Sequence, residues 1–569
     1  MIVGIDLGTT NSLIAVWEND GPRLIPNSLG SVLTPSCVSI DEDGTILVGQ
    51  AARERLQSHP DKTAAVFKRY MGSDKLTRLG NKNFRAEELS ALILRSLKED
   101  AEAALGQKIT EAIITVPAYF SEAQRKATRA AGQIAGLKVE RLLNEPTAAA
   151  LAYGIHQRES ETRFLVFDLG GGTFDVSVLD LFEGVMEVRA TAGDNYLGGE
   201  DFVLALNELF FAHNKLGTSL RKDENFMQRL SAASETAKCL LSESSSATIR
   251  LNYQGIEYSL VLTESMLENT CTSLLKRMRD PVERALRDSN FRPAELDNIV
   301  LAGGATRMPI VRKLVARMFG RFPASDINPD EVVALGAAVQ VGLKMKDAAL
   351  NEIVMTDVSP YSMGVEVAIQ LSGGGSSNGH FDPIIERNSV IPVSRVKRYF
   401  PLYNDQKILE LNVFQGEARL AKDNIKLGSL TIPLGQSTSE QNSVDVRFTY
   451  DVNGLLQVEA TSIRDDKTFA LIIQGNPGIL SDDEIKERFI SLADLKIHPR
   501  DRMEYRTLLA RAERIYQQLL GQEREYLGAH IVSFEQALES QDYRIITPAQ
   551  KTLDIVLDQI ELQNYVEPI

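Results

Sequence analysis

Two distant stretches of the chain share one pattern, and this repeat limits the possible folds more than any other feature. The stretches are IVGIDLGTTNSLIAVW at 2–17 and FLVFDLGGGTFDVSVL at 164–179. Each reads as an apolar strand ending in Asp-Leu-Gly, a turn of small and hydroxyl residues, and a second strand. One such hairpin is a weak signal, but two corresponding copies indicate a duplicated strand–turn–strand fold. We therefore expect two related halves with facing turns.

The first 350 residues alternate strand-like and helix-like segments. Short apolar runs followed by turn residues occur at 2–5, 113–116, 164–167 and 299–301. Helical patterns lie between them, as at 86–105 and 226–241. This alternation is typical of α/β architecture, which we predict for residues 1–350.

The remaining residues follow two other patterns. The stretch 351–357 (NEIVMTD) is interpreted as an interdomain linker, and 358–480 as an antiparallel β domain with alternating runs such as 409–414 and 444–450. Residues 481–569 are predicted to be helical. A capping-box spacing at Ser481 and Glu484 indicates a helix start, and Pro548 could open another helix. Apolar residues at helical spacing predict bundle packing: Tyr505, Leu508, Ala512, Ile515, Leu519, Leu553, Val556, Leu557 and Ile560.

Composition excludes several classes. The net charge of −15 argues against general nucleic-acid binding. The three cysteines lie far apart without zinc-finger spacing, which favours a reducing compartment over a disulfide scaffold. No run approaches the ~18 apolar residues that a membrane span needs. We expect a cytoplasmic protein with no membrane partner.

The two repeated turns are suited to phosphate. Residues 8–11 (GTTN) and 170–173 (GGGT) combine glycines, which let the backbone approach closely, with turn N–H groups that can point at an anion. Asp6 and Asp168 end the preceding strands, where carboxylates can hold Mg²⁺, partly through water. The alternative is a pair of capped turns without a ligand. The chain has neither a P-loop motif nor a Rossmann glycine fingerprint.

Several longer motifs carry a family resemblance. GIDLGTTNS, VPAYFSEAQR, NEPTAAALAYG, DLGGGTFDVS, GGEDF, LAGGATRMP and NPDEVVALGAA resemble the signatures of the seventy-kilodalton heat-shock chaperones, the DnaK-like family. The departures described below make the chain most similar to the specialised bacterial HscC-type branch. The resemblance implies an actin-like (ribonuclease H-like) two-lobed ATPase, an antiparallel β-sandwich that binds peptides, and an α-helical lid. It also implies a stress-response chaperone that hydrolyses ATP to ADP with Mg²⁺ and, as a further candidate ion, K⁺.

The resemblance assigns roles to the nucleotide-site residues. Lys68 would be the phosphate lysine, Glu145 would lie by the attacking water, and Asp6 and Asp168 would hold the metal. Thr173 would lie near the γ-phosphate and Asp175 on the metal and water side. The loop residues that would contact phosphate are Gly8, Thr9, Thr10, Asn11, Gly170, Gly171 and Gly172. The adenosine pocket would comprise Glu235, Lys238 and Ser242 on one helix, with Gly303, Gly304, Arg307 and Asp330. The alternative for Glu235 and Lys238 is a helix-surface ion pair.

The resemblance also implies a peptide-binding pocket and residues that couple it to the ATPase domain. The pocket would be lined by Val365, Tyr399, Leu409, Leu411 and Leu455, with Ala368 and Leu402 forming an arch over the peptide. The alternative is that these apolar residues only form the hydrophobic core of the β domain. Pro117 and Arg125 would relay between lobes. Arg141 and Asp357 would contact a J-domain cochaperone.

Departures from DnaK refine the expectation. The segment at 68–86 looks shortened, which implies that one subdomain of the first lobe is reduced. The stretch after Ser242 also looks shortened, which predicts independence from a GrpE-type exchange factor. The linker EIVMTD is less leucine-rich, so the strength of allosteric coupling should differ from that of DnaK, and the different arch residues Ala368 and Leu402 predict a different client preference. We expect a monomer that binds extended apolar client peptides. The alternatives on the same ATPase fold are a sugar kinase and a non-catalytic adaptor or exchange factor.

Overall fold

The structure is a computed structural model that divides the chain into two compact units, Met1–Tyr361 and Ser362–Ile569. It describes all residues except 20, 57, 155–160, 183–184, 325–326, 347–353, 371–375, 404–405, 436–440, 452–453, 474–492 and 567–569, and the side chains of 354–355, 493–494 and 562–566. Of the predicted linker 351–357, the first three residues lie outside the described residues. The others belong to a strand of unit 1.

Unit 1 alternates strands and helices, as the sequence predicted. Its strands are β1 (Ile2–Asp6), β2 (Asn11–Glu18), β3 (Gly21–Leu24), β4 (Thr34–Pro35), β5 (Cys37–Ile40), β6 (Ile46–Val48), β7 (Thr63–Ala65), β8 (Thr77–Leu79), β9 (Lys82–Phe84), β10 (Glu111–Val116), β11 (Lys138–Asn144), β12 (Thr162–Leu169), β13 (Phe174–Phe182), β14 (Val185–Asp194), β15 (Ser246–Tyr253), β16 (Ile256–Thr263), β17 (Asn298–Ala302) and β18 (Val354–Val358).

The helices of unit 1 lie between these strands. They are α1 (Gln50–Glu54), α2 (Ala86–Leu105), α3 (Glu122–Ile134), α4 (Glu145–Gly154), α5 (Gly199–His213), α6 (Thr218–Arg221), α7 (Glu224–Leu240), α8 (Glu264–Thr270), α9 (Thr272–Arg277), α10 (Arg279–Ser289), α11 (Pro309–Phe319) and α12 (Val332–Lys344). Shorter 3₁₀ turns include Phe67–Tyr70 and Gly304–Arg307.

Two sheets that share a four-stranded core form the centre of unit 1, with β10-β1-β2-β3 corresponding to β17-β12-β13-β14. The first runs β11-β10-β1-β2-β3, and the second runs β17-β12-β13-β14-β18. β1 pairs antiparallel with β2 and parallel with β10, while β12 pairs antiparallel with β13 and parallel with β17. The predicted duplication is therefore confirmed. Because each hairpin turns back at the end of its first strand, the repeated turns occupy equivalent places in the two lobes.

Helices α4 and α12 pack against each other and against the strands that carry the turns. Both are built from small residues and are mostly buried. A Cβ on Gly336 would lie 1.7 Å from the Ala148 carbonyl oxygen, and one on Gly4 would lie 2.6 Å from the Ala337 carbonyl carbon. The alanine- and glycine-rich stretches of the sequence therefore let these backbones approach closely.

Unit 2 begins with two antiparallel four-stranded sheets. Their orders are β20-β19-β23-β24 and β22-β25-β26-β27. The strands are β19 (Met363–Gln370), β20 (Ser376–Ile385), β21 (Val390–Ile391), β22 (Val393–Tyr399), β23 (Ile408–Gln415), β24 (Ile425–Pro433), β25 (Val444–Tyr450), β26 (Leu456–Ser462) and β27 (Thr468–Ile473). Alternating residues of both sheets form one buried apolar core, which is the arrangement of a β-sandwich.

Three described helices follow: α13 (Met503–Gln518), α14 (Gly521–Ser540) and α15 (Tyr543–Val566). The predicted stripe is confirmed, because its residues lie in or against the shared core of these helices. Pro548 does not open a helix, however. It lies inside α15, which begins five residues earlier at Tyr543. The capping box at Ser481 and Glu484 lies outside the described residues. Among the helices that the structure describes, none is long and apolar enough to cross a bilayer.

Candidate active site

The two repeated turns lie against each other between the lobes of unit 1. A Cβ added to Gly171 would lie 1.9 Å from Thr10 Oγ1, so a larger residue at this crossing would force the Thr10 side chain to move. Gly303, after β17, has φ +80°, and a Cβ added there would lie 2.4 Å from the Leu169 carbonyl oxygen. Left-handed backbone and close approach both favour glycine. The sequence places glycine where three backbone segments converge.

Lys68 enters this junction from the 3₁₀ turn Phe67–Tyr70. Its side chain is 3% exposed, and its Nζ donates to Glu145 Oε1 at 2.7 Å. Glu145 opens α4 at the end of β11, so the pair joins segments 77 residues apart. The Phe120 ring lies under the same ammonium group, with its centroid 5.6 Å from Nζ. Because Lys68 is buried and paired, it is not a solvated surface lysine.

Three aspartates surround this pair. Asp6 Oδ1 accepts from Thr115 Oγ1 at 2.9 Å, and Asp175 Oδ1 accepts from the Tyr119 backbone N–H at 3.0 Å. Asp168 and Asp175 are cross-strand partners on β12 and β13. Asp168 Oδ2 is buried and has no hydrogen-bond partner in the described part of the chain.

The pKa values of these aspartates reflect the crowding. Burial, followed by the Glu145 charge, raises the pKa of Asp6 to about 7 and that of Asp175 to about 8. Burial also raises the pKa of Asp168 well above its usual range, with further contributions from Glu145, Asp175 and Asp6. Lys68 opposes all three shifts. The cluster therefore carries more negative charge than one lysine balances, as a cation-binding cleft would.

The donor set fits a hard cation such as Mg²⁺. Carboxylate oxygens are its preferred protein ligands, and the unpartnered Asp168 Oδ2 and nearby Asp6 supply them. Among the described residues, no three His, Cys, Asp or Glu side chains come together as a metal-binding group.

The predicted adenosine residues line the far end of the same cavity. Lys238 is buried, and its Nζ pairs with Glu235 Oε2 at 2.5 Å and donates to the Gly199 carbonyl at 3.2 Å. The surface ion-pair alternative is therefore wrong for Lys238. Ser242 is not on the same helix, because α7 ends at Leu240, but the turn that follows keeps it in the wall.

The segment after β17 forms the opposite wall. Arg307 Nε donates to Asp330 Oδ2 at 2.7 Å, and its Nη2 donates to Asn328 Oδ1 at 2.5 Å. The Gly303 N–H donates to the Pro329 carbonyl at 2.8 Å. These bonds tie the glycine turn to the loop before α12, so the two predicted segments form one surface.

The cavity between these walls has a volume of about 360 Å³. All predicted nucleotide-site residues line it except Gly172 and Asp175, which lie behind the lining. Sequence reasoning missed several lining side chains, among them Arg53, Glu200 and Cys239. Glu200 lies in the quoted GGEDF motif, which could have identified it. Nothing in their local sequence distinguishes Arg53 or Cys239.

The predicted relay residues form a connected network within unit 1. Strand β18 pairs with β14 and brings Asp357 to Asn144, whose Nδ2 donates to both carboxylate oxygens at 3.0 and 2.8 Å. Arg125 Nη2 donates to Asn144 Oδ1 at 2.6 Å. Asn144 is thus the bridge that sequence reasoning missed, although it opens the NEPTAAALAYG motif.

Arg141 lies in β11 and Pro117 directly after β10, both next to this network. Arg141 Nη1 donates to Gln340 Oε1 at 3.2 Å. Burial lowers the pKa of Arg141, and the Asp357 charge opposes that shift. Pro117 directly follows β10 and accepts through its carbonyl from the Phe120 N–H at 3.1 Å.

The predicted peptide-pocket residues of unit 2 differ in exposure. Val365 and Leu411 are 1% and 4% exposed and lie in the sandwich core, and Leu455 is also buried. Tyr399 and Leu409 are partly buried against the core. Ala368 is exposed near the end of β19, and Leu402 is half-buried after β22. Tyr399 Oη donates to Asp382 Oδ2 at 2.8 Å.

Comparisons with known proteins agree with the site and the two-unit organisation. The family model described as "Hsp70 protein" matches residues 2–79 and 75–565. The chain is 42% identical over 498 residues to the "Chaperone protein DnaK" of Thermotoga petrophila and of Thermotoga maritima, and 41% identical to that of Thermotoga neapolitana. Each alignment covers 85% of this chain and 82% of the relative.

Proposed function

Because the chain belongs to the Hsp70 family of ATP-dependent chaperones, we propose that it hydrolyses ATP at the cluster around Lys68 and thereby controls peptide binding by unit 2. The chain has the ATPase lobes, β-sheet substrate domain and C-terminal helices of that family, and it is an ATPase. The observation that carries the residue assignment is the buried Lys68–Glu145 pair, which lies beside three crowded aspartates at the facing glycine turns.

The proposed mechanism relies on positioning and charge. The glycine turns supply backbone N–H donors for the phosphates, and Lys68 contributes a cation that its buried position keeps in place. Glu145 is held by Lys68 and orients the attacking water, while Thr173 lies in the same wall. Phosphoryl transfer needs little else from the protein. We expect slow turnover, because hydrolysis would set the time for which a client peptide is held.

We propose Asp6 and Asp168 as the residues that hold Mg²⁺, and K⁺ as a second ion of the site. Mg²⁺ would neutralise phosphate charge during hydrolysis. The support is the unpartnered oxygen of Asp168 and the burial of both carboxylates.

Coupling to peptide binding is proposed to follow a shift in population between two states. ATP would favour weak peptide binding and ADP tight binding, in a pocket formed by the seven predicted residues of unit 2 and closed by its helices. A coupling free energy of about 1–3 kcal/mol would change peptide affinity roughly 5- to 150-fold. The Asp357–Asn144–Arg125 network supports a path from β18 to the ATPase lobes.

The decisive experiment is single-turnover ATP hydrolysis by the full chain. It is measured alone, with an excess of short apolar peptides, and with a J-domain protein. We expect slow basal hydrolysis that either addition accelerates, because Hsp70 chaperones bind client peptides and J-domain cochaperones. Hydrolysis that neither peptide nor J-domain protein changes would contradict the proposed coupling.

We further propose membership of the HscC-type branch and independence from GrpE-type exchange factors. The hairpin β15–β16 supports this, because it reverses through the two residues Gln254 and Gly255, both at positive φ. DnaK has a longer segment here that supports contact with its exchange factor. A GrpE-type protein should leave the rate of ADP release unchanged, and acceleration would contradict the proposal.

We propose a monomer that acts in the cytoplasm, with client peptides and a J-domain protein as partners and without nucleic acid or membrane. The acidic net charge of −15 supports the exclusion of nucleic acid.

A further inference from the structure

The loop at 117–120 lies between the catalytic cluster and the last residues of unit 1. The Tyr119 N–H donates to Asp175 Oδ1 at 3.0 Å, and the Phe120 ring lies under Lys68 Nζ. Any movement of this loop would therefore alter the hydrogen bond to Asp175 and the contact of the Phe120 ring with Lys68.

Three successive carbonyl groups of this loop are held by side chains. Arg125 donates to the carbonyls of Ala118 and Phe120, each at 3.2 Å. The carbonyl between them, that of Tyr119, accepts from Tyr361 Oη at 2.7 Å and from Asn195 Nδ2 at 2.7 Å. The ring of Tyr361 also packs on the ring of Tyr119, with centroids 4.4 Å apart.

Tyr361 is the last residue of unit 1 and lies three positions after the end of β18. One short segment therefore reaches the loop by two routes. The first runs from Asp357 through Asn144 to Arg125. The second is the direct contact of Tyr361 with Tyr119, which the family resemblance did not assign.

We propose that Tyr361 is a positioning residue for ATP hydrolysis. Its hydroxyl holds the Tyr119 carbonyl, and its ring holds the Tyr119 side chain. The Tyr119 N–H shares its peptide plane with the Ala118 carbonyl, which Arg125 holds, and Tyr361 restrains the next peptide plane and the side chain. Together these contacts limit movement of the N–H away from Asp175. The inference rests on the proposed role of Asp175.

The consequence is that hydrolysis depends on the conformation of the chain where unit 1 ends. Ser362, the next residue, opens unit 2. A rearrangement that draws Tyr361 away from Tyr119 would remove one of the two side-chain hydrogen bonds to the Tyr119 carbonyl and slow hydrolysis without touching the nucleotide. Loss of hydrolysis would be partial, because Arg125, Asn195 and Arg284 still hold the loop.

The test is Tyr361→Phe in the full chain, which removes the hydroxyl and retains the ring. The control is Tyr253→Phe, since Tyr253 Oη donates to Asp223 at 2.6 Å away from the nucleotide cavity. One hydrogen bond is worth about 0.5–1.5 kcal/mol, so we expect single-turnover hydrolysis to slow roughly twofold to tenfold. The ATP dissociation constant should not change, and the unfolding midpoint of unit 1 should fall no further than in Tyr253→Phe, which also loses one hydrogen bond.

A wild-type hydrolysis rate in Tyr361→Phe would overturn the inference, as would a loss of ATP affinity equal to the loss of rate. Asp175→Asn, measured in parallel, separates the role of Tyr361 from the role of Asp175 on which it rests. Slow hydrolysis by Asp175→Asn beside a normal rate in Tyr361→Phe would refute only the role of Tyr361. Normal hydrolysis by Asp175→Asn would refute the assignment of Asp175 and this inference with it.

Discussion

At the scale of single residues, the catalytic cluster is an arrangement of buried charges that balance only in part. Lys68 is the nearest cation to four acidic groups, and it is bonded to one of them, Glu145. Removing one member of such a pair leaves an uncompensated buried charge. Substitutions in this cluster should therefore change both the stability of unit 1 and ATP hydrolysis.

Lys68→Met should abolish ATP hydrolysis and keep nucleotide binding, because the adenosine wall and the glycine turns remain. The free energy of unfolding of the ligand-free variant should fall by about 3–5 kcal/mol, since Glu145 stays buried without its partner. The single tryptophan, Trp17, is 5% exposed in β2, so its fluorescence reports the unfolding of unit 1.

Two further variants make that result interpretable. Lys68→Met combined with Glu145→Gln should recover most of the lost stability without recovering hydrolysis. Lys82→Met, at an exposed lysine of β9, should behave as the wild type in both assays. Normal turnover in Lys68→Met would rule out Lys68 as the phosphate lysine.

The crowded aspartates also predict a pH dependence of stability. The folded-state pKa values of Asp6 and Asp175, about 7 and about 8, lie above their unfolded values. The folded protein therefore binds these protons more tightly, and their contribution is complete below the unfolded pKa and lost as pH rises through 7–8. Without metal and nucleotide, unit 1 should lose stability progressively between about pH 4 and about pH 8, and this contribution should change little above pH 8.

Asp175→Asn isolates this effect. Relative to the variant, the free energy of unfolding of the wild type should fall as pH rises over the same interval, with Trp17 fluorescence as the readout. Adding Mg²⁺ and ADP should flatten the wild-type curve, because a bound cation stabilises the ionised carboxylates. Parallel curves for the two proteins would contradict the buried-charge interpretation.

At the scale of elements, the crossing of α4 and α12 holds the strands that carry the glycine turns. Gly336→Ala would place a Cβ 1.7 Å from the backbone carbonyl oxygen of Ala148, and backbone cannot move aside as a side chain can. We expect a loss of stability at or above the range of about 1–3 kcal/mol that overpacking usually costs. Chemical denaturation followed through Trp17 measures it.

The matched control is Gly21→Ala in β3, where an added Cβ would meet nothing within 4 Å and φ is not positive. Its stability should stay within about 0.5 kcal/mol of the wild type. Equal effects at the two glycines would mean that close helix packing is not the reason for the small residues in α12.

At the scale of the whole molecule, β18 links the ATPase lobes to the chain that continues into unit 2. Asp357 is tied to Asn144 on β11, and Arg141 on the same strand carries the charge opposite to it. Stimulation by a J-domain protein should therefore depend on Asp357 and Arg141 together.

A double-mutant cycle with Asp357→Ala and Arg141→Ala tests this. The two opposite charges act on each other, so the coupling energy should be about 0.5–3 kcal/mol in J-domain stimulation of hydrolysis, rather than zero. Arg250→Ala, on the exposed face of β15, is the control and should leave stimulation unchanged. Independent effects of the two substitutions, or none, would remove the proposed contact.

The sequence by itself determined the features that depend on local pattern. The Asp-Leu-Gly turns, the alternating strands at 409–414 and 444–450, and the apolar stripe of α13 appear as predicted, because turn chemistry and side-chain periodicity act over a few residues. Pro548 shows the limit of such rules, since packing of α15 on the bundle core outweighs the local preference for a helix start.

Only the tertiary structure decided which distant residues meet. Lys68 lies in a 3₁₀ turn without a local signal, and only its pairing with Glu145 brings it into the site. Arg53 and Cys239 reach the cavity, and Asn144 reaches Asp357, through equally long-range contacts. Periodicity describes neighbours along the chain, whereas these contacts arise because burying two lobes against each other fixes which side chains share one cleft.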